Sequence, residues 1–234
     1  MKKSVLVTGA SRGIGMNIAK MLASAKGDFD CVVMVGRPSA RFDKAIKDVR
    51  KSAVNCEIHT IEADLADVAC VAQIYDELDA LGVRLTAIIN NAGYTNPAAI
   101  IDTVLADFQF TMQVNLFTPF QIIKMALRRE HPINQVLNIA STAGISGRSG
   151  WLSYSASKAA VINMSEVMRE ELRPQGIDVI CLSPGRCATD LRRTLAPEED
   201  PSTIMQPEQV AAVVQLMTSE VGRLLHSQNI VVRT

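Results

Sequence analysis

Tyr154 and Lys158 stand four residues apart in Tyr154-Ser155-Ala156-Ser157-Lys158, a spacing that puts both side chains on one face of a helix. A phenol titrates near 10 in water and is a poor acid–base group at neutral pH. A lysine ammonium beside it favours the phenolate and brings that pKa toward a working range. Ser141 comes thirteen residues before the tyrosine, where a strand is expected to end, and its hydroxyl can hydrogen-bond a substrate carbonyl. Taken alone, the pair reads as an ordinary surface Tyr–Lys contact.

Upstream, Thr8-Gly9-Ala10-Ser11-Arg12-Gly13-Ile14-Gly15 follows an expected strand and opens an expected helix. Gly9, Gly13 and Gly15 remove side chains where backbone must turn tightly and approach a pyrophosphate. The helix N-terminus adds unpaired N–H groups and a partial positive charge. A tight βα turn without a ligand would carry the same glycines, but its position after the first strand of a repeated β-α chain turns the reading to dinucleotide binding, with Ser11, Arg12 and Ile14 in the same turn. The end of the second strand chooses the dinucleotide. An NAD enzyme of this type places Asp or Glu there, about 20 residues past the glycines, on the ribose 2′-OH. Val35-Gly36-Arg37 has no carboxylate. Arg37 offers a planar charged fork to a 2′-phosphate and Arg12 points to the same region, so NADP(H) is expected ahead of NAD.

The elements that must position these groups alternate along the chain. Strands are expected over 4–7, 31–35, 58–62, 85–89, 135–140, 178–182 and 230–232, the second a continuous apolar run of the kind a parallel sheet buries on both faces. Helical periodicity runs through Ile14, Ile18 and Leu22, and over 105–129, 154–173 and 207–218. This alternation implies an α/β fold: one Rossmann-like doubly wound domain over residues 1–234, with about seven parallel strands and helices on both faces. The polar stretch 186–206 leaves the sixth strand on the side where such sheets bind ligands, and is expected to be a substrate loop.

Composition narrows the partners. The 234 residues carry 24 Lys+Arg against 24 Asp+Glu, a net charge of zero with no block of like charge. No overall field draws nucleic acid or anionic lipid. Apolar residues make up 48%, enough for a large core. Cys31, Cys56, Cys70, Cys181 and Cys187 show no CxxC pair and read as mostly buried free thiols, neither disulfides nor a zinc site. His59, His131 and His226 match no metal spacing and read as structural. Only about three apolar residues precede Thr8, where a signal peptide needs roughly 7–15. No apolar run approaches the roughly 18 residues that span a bilayer, and a cytoplasmic protein is expected.

With Asp64-Leu65, Asn90-Asn91-Ala92-Gly93, Asn115 and Pro184-Gly185-xxx-Thr189, the order and spacing of these motifs resemble the short-chain dehydrogenase/reductase (SDR) family over essentially the whole chain, and its 3-oxoacyl-acyl-carrier-protein-reductase-like branch. The resemblance implies hydride transfer between a nicotinamide and a carbonyl or secondary alcohol. It implies that Tyr154 gives the proton, that Lys158 lowers its pKa and holds the nicotinamide ribose, and that Ser141 orients and polarises the carbonyl. Asn115 would support a water-linked proton relay through Lys158. Asp64 with Leu65 would meet the adenine, Asn90, Asn91, Ala92 and Gly93 would line the cofactor, and Pro184, Gly185 and Thr189 would bracket the carboxamide. Two features depart from the family pattern. Thr86 stands where members often carry Asp, so bracing of the fourth strand is expected to differ, and the 228–234 tail lacks the usual glycines.

The implied partner is a small carbonyl or alcohol substrate. A 3-oxoacyl thioester is the common family choice. Arg186, Arg192 and Arg193 can instead grip a phosphate or carboxylate, which makes a phosphorylated sugar or polyol the alternative, or they can pair with Glu198, Glu199 and Asp200. Trp151 and Tyr94 are expected to face the pocket. Met112, Met125, Met164 and Met168 lie on helices the family uses for subunit contacts, consistent with a homodimer or homotetramer, and core filling is the competing reading. A non-catalytic NADP(H)-sensing module is the reading from another class, but it has no need of Ser141, Tyr154 and Lys158 together.

Overall fold

The structure, a computed structural model, describes residues 2–224 and 229–233; His226 and the tail residues Gln228 and Thr234 lie outside the described residues. Strands β1 (Ser4–Thr8), β2 (Cys31–Gly36), β3 (Glu57–Glu62), β4 (Ala87–Asn90), β5 (Gln135–Ile139), β6 (Asp178–Pro184) and β7 (Asn229–Val232) form one sheet. Their order is β3-β2-β1-β4-β5-β6-β7, with every neighbouring pair parallel. The helices are α1 (Gly13–Ala23), α2 (Ala40–Ser52), α3 (Cys70–Ala80), α4 (Leu105–Met112), α5 (Thr118–Arg128), α6 (Leu152–Leu172), α7 (Asp190–Leu195), α8 (Pro207–Thr218) and α9 (Glu220–Arg223).

Side-chain alternation explains why helices cover both faces. In β1, Val5 and Val7 enter one core with Ile18 of α1, Phe42 of α2 and Val210 of α8. Leu6 enters the other, with Tyr75 of α3, Ile122 of α5 and Leu172 of α6. Each strand must therefore be apolar on both sides, which is why the strands read as runs. The order reverses between β1 and β4, so the crevice beyond their carboxyl ends is the place this architecture offers a ligand.

Thr86 braces β4 by itself. Its hydroxyl accepts the Ser4 N–H at 3.0 Å and donates to the Ser4 carbonyl at 3.0 Å. Beyond β1, the buried Thr8 Oγ1 accepts the N–H groups of Asn91 and Ala92 at 3.0 and 3.1 Å. Asn90 is turned away from the crevice: it donates to Asn138 at 2.9 Å, and Asn138 donates to Ser165 at 3.0 Å, which ties β4 through β5 to α6.

Two expectations are corrected. The helix expected over 105–129 is broken by a π-turn, Gln113–Phe117. Pro119 has no N–H to continue the ladder, and the Thr118 N–H reaches back to the Gln113 carbonyl. The 186–206 stretch is also more ordered than a loop. It contains α7 and a 3₁₀ turn at Pro201–Thr203, and Cys187 and Met205 pair in a parallel bridge with both side chains buried.

All five cysteines are free thiols, four buried and Cys56 partly so. Burial pushes Cys181 up to about 11 and Cys187 up to about 12, which leaves them unreactive. Met125, Met164 and Met168 fill core positions. No group of metal-ligating side chains occurs among the described residues, and no helix among them is long and apolar enough to cross a membrane.

His131 is buried, accepts the Leu85 N–H at Nδ1 (2.9 Å) and meets Tyr75 edge-on at 5.2 Å. Burial, helped by the charges of Arg84 and Arg129, drives its pKa from 6.5 down to about 4. Between those values the unfolded chain binds the proton and the folded chain does not, so this stability is full above about 6.5 and lost as pH falls toward 4. The urea midpoint is therefore expected to fall more between pH 7 and pH 4.5 in the native chain than in His131→Asn, which keeps an acceptor near the Nδ1 position. Equal falls in both proteins would remove His131 from the account.

Candidate active site

The crevice holds a cavity of about 770 Å³, within the size range of small-molecule sites. Lining it are Gly9, Ser11, Arg12, Gly13, Ile14 and Gly15 of the turn between β1 and α1, and Arg37 just past β2. Asp64 and Leu65 line it after β3, Asn91, Ala92 and Gly93 after β4, and Pro184, Gly185 and Thr189 at and beyond the end of β6. The turn is held by close packing. A Cβ on Gly15 would lie 2.3 Å from both the Gly9 carbonyl oxygen and the Asn91 amide nitrogen, and that amide is fastened to the Thr8 carbonyl at 3.0 Å. Backbone approach of this kind, opening into α1, suits a pyrophosphate.

Ser141, Tyr154 and Lys158 line the same cavity. Ser141 caps the short turn Thr142–Gly144, its Oγ accepting the Ala143 N–H at 3.1 Å. That turn lies flat on α6: a Cβ on Gly144 would be 2.5 Å from the Lys158 carbonyl carbon. The Ser141 hydroxyl thereby reaches the Tyr154 hydroxyl in a hydrogen bond. Lys158 Nζ sits 5.9 Å from the phenol ring centre and donates to the Ile139 carbonyl at 2.8 Å.

Burial raises the pKa of Tyr154, against the opposing pull of the Ser141 hydrogen bond and the Arg192 charge. Burial also lowers Lys158 to about 8. The phenol thus moves opposite to the sequence expectation. Desolvation outweighs its neighbours, and the same desolvation leaves the lysine less able to act on it.

Asn115 does not line the cavity. Its Oδ1 accepts the Tyr94 N–H at 2.7 Å, and its Nδ2 donates to the Tyr94 carbonyl at 3.0 Å and to Ser157 at 2.9 Å. It sits behind Gly93, where a Cβ would be 3.8 Å from both Asn115 Oδ1 and Lys158 Nζ.

A model of the family described as short chain dehydrogenase matches residues 3–200. The chain belongs to that family. It is an oxidoreductase acting on keto or alcohol groups, from a family that binds NAD(P)H. The chain is 32% identical over 223 residues to a 3-oxoacyl-(acyl-carrier-protein) reductase of Synechocystis sp., covering 92% of this chain and 88% of that protein. It is 29% identical over 239 residues to 3-oxoacyl-(acyl-carrier-protein) reductase FabG of Aquifex aeolicus, covering 96% and 95%. Its fold is similar to that of a short chain dehydrogenase from Burkholderia cenocepacia J2315 in complex with NADP, at TM-score 0.85 and 28% identity over 98% and 96% of the two chains.

In this short chain dehydrogenase the substrate-side arginines have partners. Arg192 makes a forked contact with Glu199 at 2.5 and 2.7 Å, and Arg186 meets the same carboxylate at 3.3 Å. Arg193 reaches Asp190 at 3.3 Å. Trp151 lies between Arg148 and Arg192, at 5.5 and 5.4 Å from its ring, and is edge-on to Tyr154 at 6.5 Å. Tyr94 packs edge-on against Phe110 at 4.6 Å. Sequence reasoning missed Gly144, Arg41 and Asp190. A glycine three residues past Ser141 and an arginine four past Arg37 were the available signals for the first two. Asp190 had none, because its partners lie far away in sequence.

Proposed function

We propose that this chain is an NADPH-dependent ketoreductase and that its substrates are 3-oxoacyl thioesters. The observation that carries the reading is the joint lining of one cavity by Ser141, Tyr154 and Lys158, by the glycine turn, and by the carboxylate-free Gly36-Arg37 end of β2. No ion pair or hydrogen bond engages the Arg37 guanidinium among the described residues, so it is available to a 2′-phosphate, while Arg12 and Arg41 line the same cavity. The named activities of the two reductase relatives support the acyl substrate. So do Tyr94, Phe110, Trp151, Leu191 and Leu195 in the lining, which suit an acyl chain. Engagement of Arg186 and Arg192 by Glu199 argues against a phosphorylated sugar.

Bound NADPH supplies the hydride to the carbonyl carbon. Tyr154 gives its proton to the carbonyl oxygen, and its raised pKa keeps it protonated at neutral pH, the state that reduction requires. Ser141 donates to the same oxygen, so two fixed donors meet the charge as it develops. Lys158 holds the nicotinamide ribose and returns a proton to Tyr154. Asn115 is a positioning residue, fixing the Tyr94 backbone against α6. Asp64 takes the adenine, and Pro184, Gly185 and Thr189 bracket the carboxamide. We assign the chain to the cytoplasm, which keeps free thiols reduced. A homodimer or homotetramer would cover the exposed Phe117, Phe120 and Val167 on and beside α5 and α6.

Steady-state kinetics with NADPH and NADH on an acetoacetyl thioester test this. Arg37→Asp is expected to lower kcat/KM for NADPH by about 10- to 100-fold, the worth of a charge-assisted phosphate contact, with little loss for NADH. An unchanged ratio would mean that Arg37 does not read the phosphate. Turnover of ketose phosphates in preference to the thioester would overturn the substrate.

A further inference from the structure

Asp190 ties the substrate side of the cavity to the cofactor side in a way that hydride chemistry does not require. Its Oδ2 accepts Arg12 Nη1 at 2.7 Å and Arg41 Nη1 at 2.8 Å. Arg12 stands in the glycine turn, Arg41 in the first turn of α2, and Asp190 opens α7. All three line the cavity, together with Arg37. One carboxylate oxygen shared by two guanidinium groups is the arrangement a phosphate oxygen takes up between arginines. A second contact lies next to it: a Cβ on Gly13 would be 3.3 Å from Thr189 Cγ2, so the start of α7 rests directly on the turn. Two residues further on, Arg192 faces the Trp151 ring.

We propose that Asp190 is a specificity-determining residue of the cofactor site, whose carboxylate competes with the 2′-phosphate of NADP(H) for Arg12 and Arg41. This rests on the NADP(H) reading above. To engage both arginines the phosphate must displace the carboxylate, and α7 then moves off the turn. A dinucleotide without that phosphate leaves the clasp closed. Because α7 also carries Leu191 and Leu195, which line the cavity, the shape offered to substrate then depends on which dinucleotide is bound.

The experiment is a titration of the full chain, native and Asp190→Asn, with adenosine 2′,5′-bisphosphate and with adenosine 5′-monophosphate, which differ only in the 2′-phosphate. Trp151 is the sole tryptophan, so its fluorescence reports directly on the position of Arg192. The native chain is expected to bind the bisphosphate more tightly, with a fluorescence change that the monophosphate does not produce. Asp190→Asn is expected to tighten the bisphosphate about fivefold, the combined worth of two exposed ion pairs, and to leave the monophosphate unchanged. Equal or weaker bisphosphate binding in Asp190→Asn, with the native preference intact, would overturn the competition and leave the NADP(H) reading standing. If neither protein distinguishes the two nucleotides, both fall.

Discussion

Tyr154→Phe is expected to reduce turnover by about a thousandfold or more, because it removes the proton donor and one of two hydrogen bonds to the developing oxyanion. The fold should tolerate the change. Only the hydroxyl is lost, the ring stays buried beside Trp151, and the lost contact is the single hydrogen bond to Ser141. One such bond contributes about 1 kcal/mol, so melting should barely move. NADPH affinity should stay within a few-fold, since the glycine turn and the β2 arginines are untouched. Paired NADPH titrations and thioester kinetics check this, and full activity in the variant would sink the catalytic assignment.

Lys158→Met is expected to cost about a hundredfold or more in kcat and to stabilise the protein. The ammonium is buried, and burial lowers its pKa from 10.5 to about 8. Between about 8 and 10.5 the unfolded chain holds a proton that the folded chain has released, so stability rises with pH across that window. At pH 7 the folded chain carries a desolvated charge, held through its hydrogen bond to the Ile139 carbonyl. Replacing it with an apolar side chain of similar length should add on the order of 2 kcal/mol, raising the melting temperature by a few degrees. Such a gain would mark Lys158 as kept for chemistry at a cost to the fold. A variant that is less stable at pH 7 would contradict that account.

Local features were the most legible in the sequence. The strands stood out because each must be apolar on both faces, and the glycine turn because its chemistry is packed into eight consecutive residues. Lys158 and Tyr154 were legible as neighbours because helix geometry fixes a four-residue spacing. Their pKa directions were not, because desolvation depends on what Ile139, Gly144 and Trp151 bring over them from other parts of the chain. The break at Asn115 was signalled by Pro119, but the apolar periodicity on either side outweighed it. The contacts of Asp190 span 178 and 149 residues to Arg12 and Arg41, and no local pattern encodes them. The loop arginines illustrate the same limit. Their residue types fit anion binding equally well, and only the fold shows Glu199 between Arg186 and Arg192.

The central claim is carbonyl reduction at this cavity with NADPH as the hydride source. Its most direct measurement is a reaction with NADPH deuterated at the transferable C4 position and an acetoacetyl thioester, with mass spectrometry of the product. One deuterium at C3 of the 3-hydroxybutanoyl thioester for each NADPH consumed is the predicted result. Tight NADPH binding with no deuterated alcohol, from this thioester or from a panel of simple ketones, would contradict it.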